Sequence, residues 1–295
     1  MILPLMIMKK ITIWSGLFLC LLMTGCQRQE ELEEGNAVYY WRTDFRLDST
    51  ERVFLNQYHI QKIYCRYFDV VMDTTQGRGP MPNATISFSD TLPKNMEIIP
   101  TVYIMEDCMH QSHQGLAEKL VRRIRQMNET NDLAGIREIQ IDCDYTVRSR
   151  NIYYEFLREV KRLWGQQLSA TIRLHQLSMP APPVDYGALM LYNTGNPQKF
   201  MERNPILDIR DVAPYLRRLD DYPIPLAAAY PVFNWLRIVN GVHIEHTAEA
   251  EEVLKVKQAV EQKRGSLKRS IITYHLDKEN INRYKREVYE EIYHH

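Results

Sequence analysis

The chain has 295 residues, 45% of them hydrophobic, and its 37 Lys and Arg are matched by 37 Asp and Glu. A formal charge of zero lacks the basic excess or stripe that a nucleic-acid binder carries, so no nucleic-acid partner is expected. The roughly 260 residues beyond the N-terminal segment are enough for one large α/β barrel, and no Gly/Ser-rich or Pro-rich linker divides them.

At the N-terminus, Lys9 and Lys10 precede an apolar run from Ile11 to Met23 that closes on Thr24-Gly25-Cys26. Charge, a short apolar stretch and small residues at the cut describe an export signal. The run is shorter than the ~20 apolar residues that a bilayer requires of a spanning helix. Met8, placed directly before the charges, suits a start better than Met1. With Cys26 directly after Thr24-Gly25, the segment resembles a bacterial lipoprotein signal. That resemblance implies a signal peptide over 1–25, lipidation of Cys26, and a cell-envelope location anchored to a membrane, the outer one. Residues 26–36, with Glu30, Glu31, Glu33 and Glu34, read as a solvated acidic tether, and 37–295 as the folded domain. Of 5 cysteines only Cys65, Cys108 and Cys143 then remain in that domain, which is neither a disulfide framework nor a metal-ligand spacing.

Along the domain, strand-like and helix-like stretches alternate. Ala37 to Trp41 is an apolar run, after which Asp48 with Glu51 three places on opens a helix. Lys62 to Val71 is the second strand, followed by a Gly/Pro-rich loop over Gln76 to Asn83. Glu97 to Ile104 is the third, where Pro100 demands a bulge or an early strand position. Leu116, Leu120, Ile124 and Met127 share a helical face. Arg137 to Thr146 gives the fourth strand, and Tyr153, Phe156, Leu157, Val160 and Trp164 an amphipathic helix after it. Leu168 to Leu174, Tyr186 to Tyr192, Ile224 to Tyr230 and Ser270 to His275 complete eight strands. They read as near-continuous apolar runs, which marks a parallel sheet covered on both faces. Eight such units favour a single (β/α)8 TIM-like barrel over an open doubly wound sheet, and no Gly-rich phosphate loop argues for the latter.

Within REIQIDCDYT, Gln140, Asp142 and Asp144 share one strand face while Ile139, Ile141 and Cys143 take the other. Buried carboxylates are costly unless paired or used. In a barrel the functional rim is at the C-terminal strand ends. The residues expected there are Arg42 after the first strand, Arg66 and Asp69 in the second, Asp142 and Asp144 in the fourth, and Arg173 and His175 in the fifth. Tyr192 and Asn193 end the sixth strand, Tyr230, Asn234 and Trp235 follow the seventh, and His275 and Asp277 end the eighth. Each has a structural alternative, such as a helix cap for Asp69 or Asp277, a core position for His175, or an ion pair for Arg173.

The stretches IQIDCDY, LSATIRL, ALMLYNTG and ITYHLD resemble an uncharacterised family of bacterial lipoproteins with a predicted barrel fold, over Tyr39 to Tyr293. That resemblance implies fold and address. More distantly, the fourth strand is similar to that of chitinase-like glycoside hydrolases, which ends in Asp-x-Asp-x-Glu. Gln140 takes the place of the first acid, Asp142 of the second and Asp144 of the catalytic Glu, while Tyr192 and Asn193 stand where those enzymes carry Tyr-Asp. Asn193 cannot ionise and Asp144 is one methylene short. The implied chemistry makes Asp144 the general acid, with Asp142 charged beside it to stabilise positive charge on the sugar or its N-acetyl group. Arg173, His175 and Tyr192 would bind hydroxyl or acidic groups, and Tyr40, Trp41, Tyr145, Tyr230 and Trp235 would offer flat faces to sugar rings. The competing class is a non-catalytic surface lipoprotein, binding a glycan or a protein, in which Arg173 and Arg66 neutralise the two aspartates. His110 and His113, near Glu106 and Asp107, are the one pointer to a metal-dependent hydrolase and form no recognisable ligand motif. A monomer with a glycan or other small polar ligand, and without cofactor or metal, is the expectation.

Overall fold

In a computed structural model, which describes residues 32, 34–73, 75, 77, 79–93, 95–195, 203–239 and 242–294, the eight expected strands all form. They are β1 Gly35–Tyr40, β2 Ile60–Asp73, β3 Glu97–Ile104, β4 Glu138–Cys143, β5 Gln167–Arg173, β6 Tyr186–Met190, β7 Leu226–Pro231 and β8 Ser270–Tyr274. Each pairs in parallel with the next, and β1 pairs with both β2 and β8, so the sheet closes into a (β/α)8 barrel. The signal segment and Cys26 lie outside the described residues.

Local chemistry explains the connecting elements. Helix α1, Ser49–Gln57, starts where Asp48 accepts the Glu51 backbone N–H at 2.8 Å and the Glu51 carboxylate accepts that of Asp48 at 2.9 Å. Helix α2, Leu116–Thr130, buries Leu120 and Ile124. Helix α3, Arg150–Trp164, buries Tyr153, Phe156, Leu157, Val160 and Trp164 against the sheet and ends at Gly165, whose φ of 75° is one that glycine adopts without strain. Helices α4, Ile209–Leu216, and α5, Ala250–Lys263, precede β7 and β8, and two short helices, α6 Lys278–Ile281 and α7 Arg286–Ile292, close the chain.

Several features were not foreseen. Between β5 and β6 the chain makes only a 3-10 turn, Leu174–Ser178, before extending to β6. Strand β2 runs on past the ring and pairs antiparallel with Gly79–Asn83, and an antiparallel ribbon, Asn234–Val239 with Val242–Thr247, follows β7. Pro100 stands opposite Cys65, one residue before β3 meets β4 at Thr101, and the neighbouring register of β2 slips between Arg66 and Phe68. Its missing N–H therefore falls where the pairing is already irregular.

Candidate functional site

Strand β4 turns Glu138, Gln140 and Asp142 into the barrel, and β5 answers with Ser169, Thr171 and Arg173. Buried polar groups need partners, and these two columns supply them to each other. Ser169 donates to Glu138 at 2.6 Å and accepts from the Gln140 amide at 3.3 Å. Tyr186 also donates to Glu138, at 2.5 Å, and Tyr39 donates to Gln140 at 2.8 Å. Burial pushes the Glu138 carboxyl up to about 7, with the Ser169 and Tyr186 hydrogen bonds pulling the other way.

At the top of the columns, Thr171 donates to Asp142 at 2.6 Å and Arg173 Nη2 donates to the same oxygen at 3.3 Å. Arg173 Nε donates to Asp144. One guanidinium thus serves two carboxylates. Burial raises the Asp142 carboxyl above its usual range, against the opposing pull of Arg173. For Arg173 burial disfavours the charge, but Asp142 and Asp144 together outweigh it and hold the guanidinium ionised. Asp142 is only 2% exposed, whereas the Asp144 side chain, one residue past the strand, is 48% exposed.

Above this pair opens a cavity of about 290 Å³, at the lower edge of small-molecule sites. Asp144, Arg173, His175, Tyr192 and Asn193 line it, as expected from the sequence, joined by Leu174, Met190, Thr194 and Tyr215, which were not. Tyr192 is buried, its hydroxyl has no partner among the described residues, and its ring is stacked on Tyr274 at 4.8 Å. From Tyr274 an aromatic arc continues to Trp41 at 5.6 Å and to Phe233 at 5.5 Å, and from Phe233 to the half-buried Trp235.

Other rim residues have different company. Arg66 grips Asp69, with Nε to Oδ1 at 2.8 Å, and lies over the Trp41 ring, so it does not reach the β4 aspartates. Arg42 donates to Glu51 at 2.8 Å and stands 3.9 Å from Asp277. Asp277 caps α6 through the Glu279 N–H. His275 meets Asn280 at 3.3 Å, and burial lowers its imidazole below the usual value while Asp277 opposes. Asn234 donates to Glu245 across the ribbon. One expectation needs correction. Tyr230 is fully buried because β7 continues to Pro231, so it cannot meet a ligand; Tyr40 and Tyr145 are equally enclosed, packed on Phe45 and Tyr153. Of the two aspartates Asp142 is the enclosed one, and burial raises its carboxyl, while the Asp144 side chain stands at the cavity.

Thr171 and Glu138 were missed, although the alternation Ser169-x-Thr171-x-Arg173 signals an inward polar column. Cys65, Cys108 and Cys143 are buried free thiols. Glu106 accepts from Thr146 and Ser149, with His110 3.8 Å away, and among the described residues no group of three or more His, Cys, Asp or Glu is arranged to hold a metal.

No protein-family model and no curated protein matches the chain. Among solved structures it is similar to a chitinase from Bacteroides thetaiotaomicron, with a TM-score of 0.61 at 10% identity over 90% of this chain and 99% of that one. It is also similar to a xylanase-A-amylase inhibitor protein, with a TM-score of 0.51 at 14% identity over 88% and 98% of the two chains. The fold they share with it is the (β/α)8 TIM barrel. Likeness at such identities is of fold alone, and this fold serves both a hydrolase and an inhibitor, so function has to be argued from the site.

Proposed function

We propose that this protein is an envelope lipoprotein, anchored through Cys26, that binds the end of a glycan in the barrel mouth without cleaving it. The observation that carries this is the mismatch between protonation and access at the acid pair. A glycosidase needs a carboxyl that holds a proton and reaches the glycosidic oxygen. Here the carboxyl whose proton burial favours, Asp142, is closed off, and the open one, Asp144, is an acceptor for Arg173. For binding the same arrangement is apt. A fixed carboxylate and guanidinium, the Asn193 amide and the His175 ring present donors and acceptors to sugar hydroxyls, beside an aromatic arc suited to a ring face.

Hydrolysis is the second reading, and the 48% exposure of Asp144 beside a buried second acid favours it. Titrating the full-length protein in detergent with neutral and acidic oligosaccharides, alongside His175→Ala at an exposed position, tests the binding reading. Saturable binding weakened in the variant supports it. No binding to any oligosaccharide ends it.

A further inference from the structure

A larger cavity, of about 600 Å³, lies between the turn after β5 and the turn that leads from α4 to β7, which form one flank of the barrel. Ser178, Arg217, Arg218, Asp221 and Tyr222 contribute its polar lining. Arg217 and Arg218 are both exposed, and neither has an ion-pair or hydrogen-bond partner for its guanidinium among the described residues. Arginines just past a helix end complement its negative pole, yet among the described residues neither guanidinium donates to a terminal carbonyl. The turn that carries them is fixed from behind, where Arg264 donates to the carbonyls of Leu219 at 3.0 Å, Tyr222 at 2.9 Å and Ile224 at 2.9 Å. Tyr222 is 4% exposed, and its hydroxyl has no partner among the described residues.

Two elements join this cavity to the mouth. His175 lines the mouth and Ser178 the flank, and residues three apart on a 3-10 turn share a face. Tyr215 lines the mouth and Arg218 the flank, and the Arg218 N–H donates to the Tyr215 carbonyl at 2.9 Å, which keeps them one turn apart. Both rows run the same way, from the acid pair to the free arginines.

We infer that the flank cavity is a second subsite, which takes an acidic group of the glycan whose end occupies the mouth; the ligand class is an anionic oligosaccharide, such as one bearing uronic acids. This rests on the glycan-binding reading of the mouth. Arg217 and Arg218 meet the carboxylate as charge-assisted donors, and Asp221 and Ser178 take neighbouring hydroxyls. The bare pair of arginines is what the mouth lacks, since Arg173 is already committed to two aspartates.

The test uses full-length protein in detergent with hyaluronan, heparosan and polygalacturonate tetrasaccharides, each against its carboxyl-reduced form, which keeps the linkage and loses the charge. For at least one pair the acidic form should bind roughly tenfold more tightly than the reduced one. The double variant Arg217→Ala/Arg218→Ala, at exposed positions, should erase that difference and leave the reduced form's affinity unchanged. Equal affinities for every pair in the wild type, or a difference that survives in the double variant, overturn the second subsite and leave the mouth reading standing. If no form of any tetrasaccharide binds the wild type, the mouth reading falls and the subsite with it.

Discussion

Arg66 and Arg173 both meet aspartates at the mouth of the same barrel, but in different proportion. Arg66 closes a one-to-one fork on Asp69 and covers Trp41, leaving no charge over. Arg173 is shared by Asp142 and Asp144, so with both ionised the cluster carries an excess negative charge at a cavity. The closed pair is spent on itself, while the shared one lines the cavity through Asp144 and Arg173. Glu138, lower in the β4 column, shows the same strand without an arginine: burial, with Glu97 adding to it, pushes its carboxyl up to about 7.

The largest effect is expected at Arg173. Arg173→Met strands two carboxylates, one of them buried, and should cost roughly 3–5 kcal/mol in denaturant unfolding and abolish glycan binding. A variant of near wild-type stability would show that the guanidinium is not what compensates the acids. Next comes pH. Glu138 has a folded value raised above the ordinary 4.5, so its contribution to stability is fully present below about pH 4.5 and is lost as pH rises through about 7. A shift of that size is worth about 3 kcal/mol. Glu138→Gln should flatten this part of the stability profile; an unchanged slope would place the titration elsewhere.

Arg66→Met should cost less, about 1–3 kcal/mol, because Asp69 keeps some access to water, and it should leave oligosaccharide affinity unchanged. Lost affinity would put Arg66 in the site and erase the contrast with Arg173. The smallest effect on stability belongs to Asp144→Asn, within about 1 kcal/mol, since its side chain is half exposed.

The inward column of β4 was legible because alternation in a strand is fixed by geometry: Gln140, Asp142 and Asp144 had to share a face. All eight strands were legible for a related reason, as apolar runs at regular intervals. Which rim residues meet was not. That depends on strand tilt and stagger around the ring, which spacing in the chain does not encode. So Arg66, two strands from Asp142, turned to Asp69 three residues away, and Arg42 turned to Glu51, the residue already engaged in capping α1. Tyr230 was misplaced by a single residue of strand length. Thr171 and Glu138 were open to the alternation argument, which applied to β5 as well as β4.

On the proposed reading the mouth holds a glycan and leaves it whole. Incubating the full-length protein and Asp144→Asn with the oligosaccharides they bind, and following new reducing ends over time, tests it most directly. Neither protein should release reducing ends above the buffer rate. Steady release by the wild type that vanishes in Asp144→Asn would contradict it and make the open aspartate a catalytic acid.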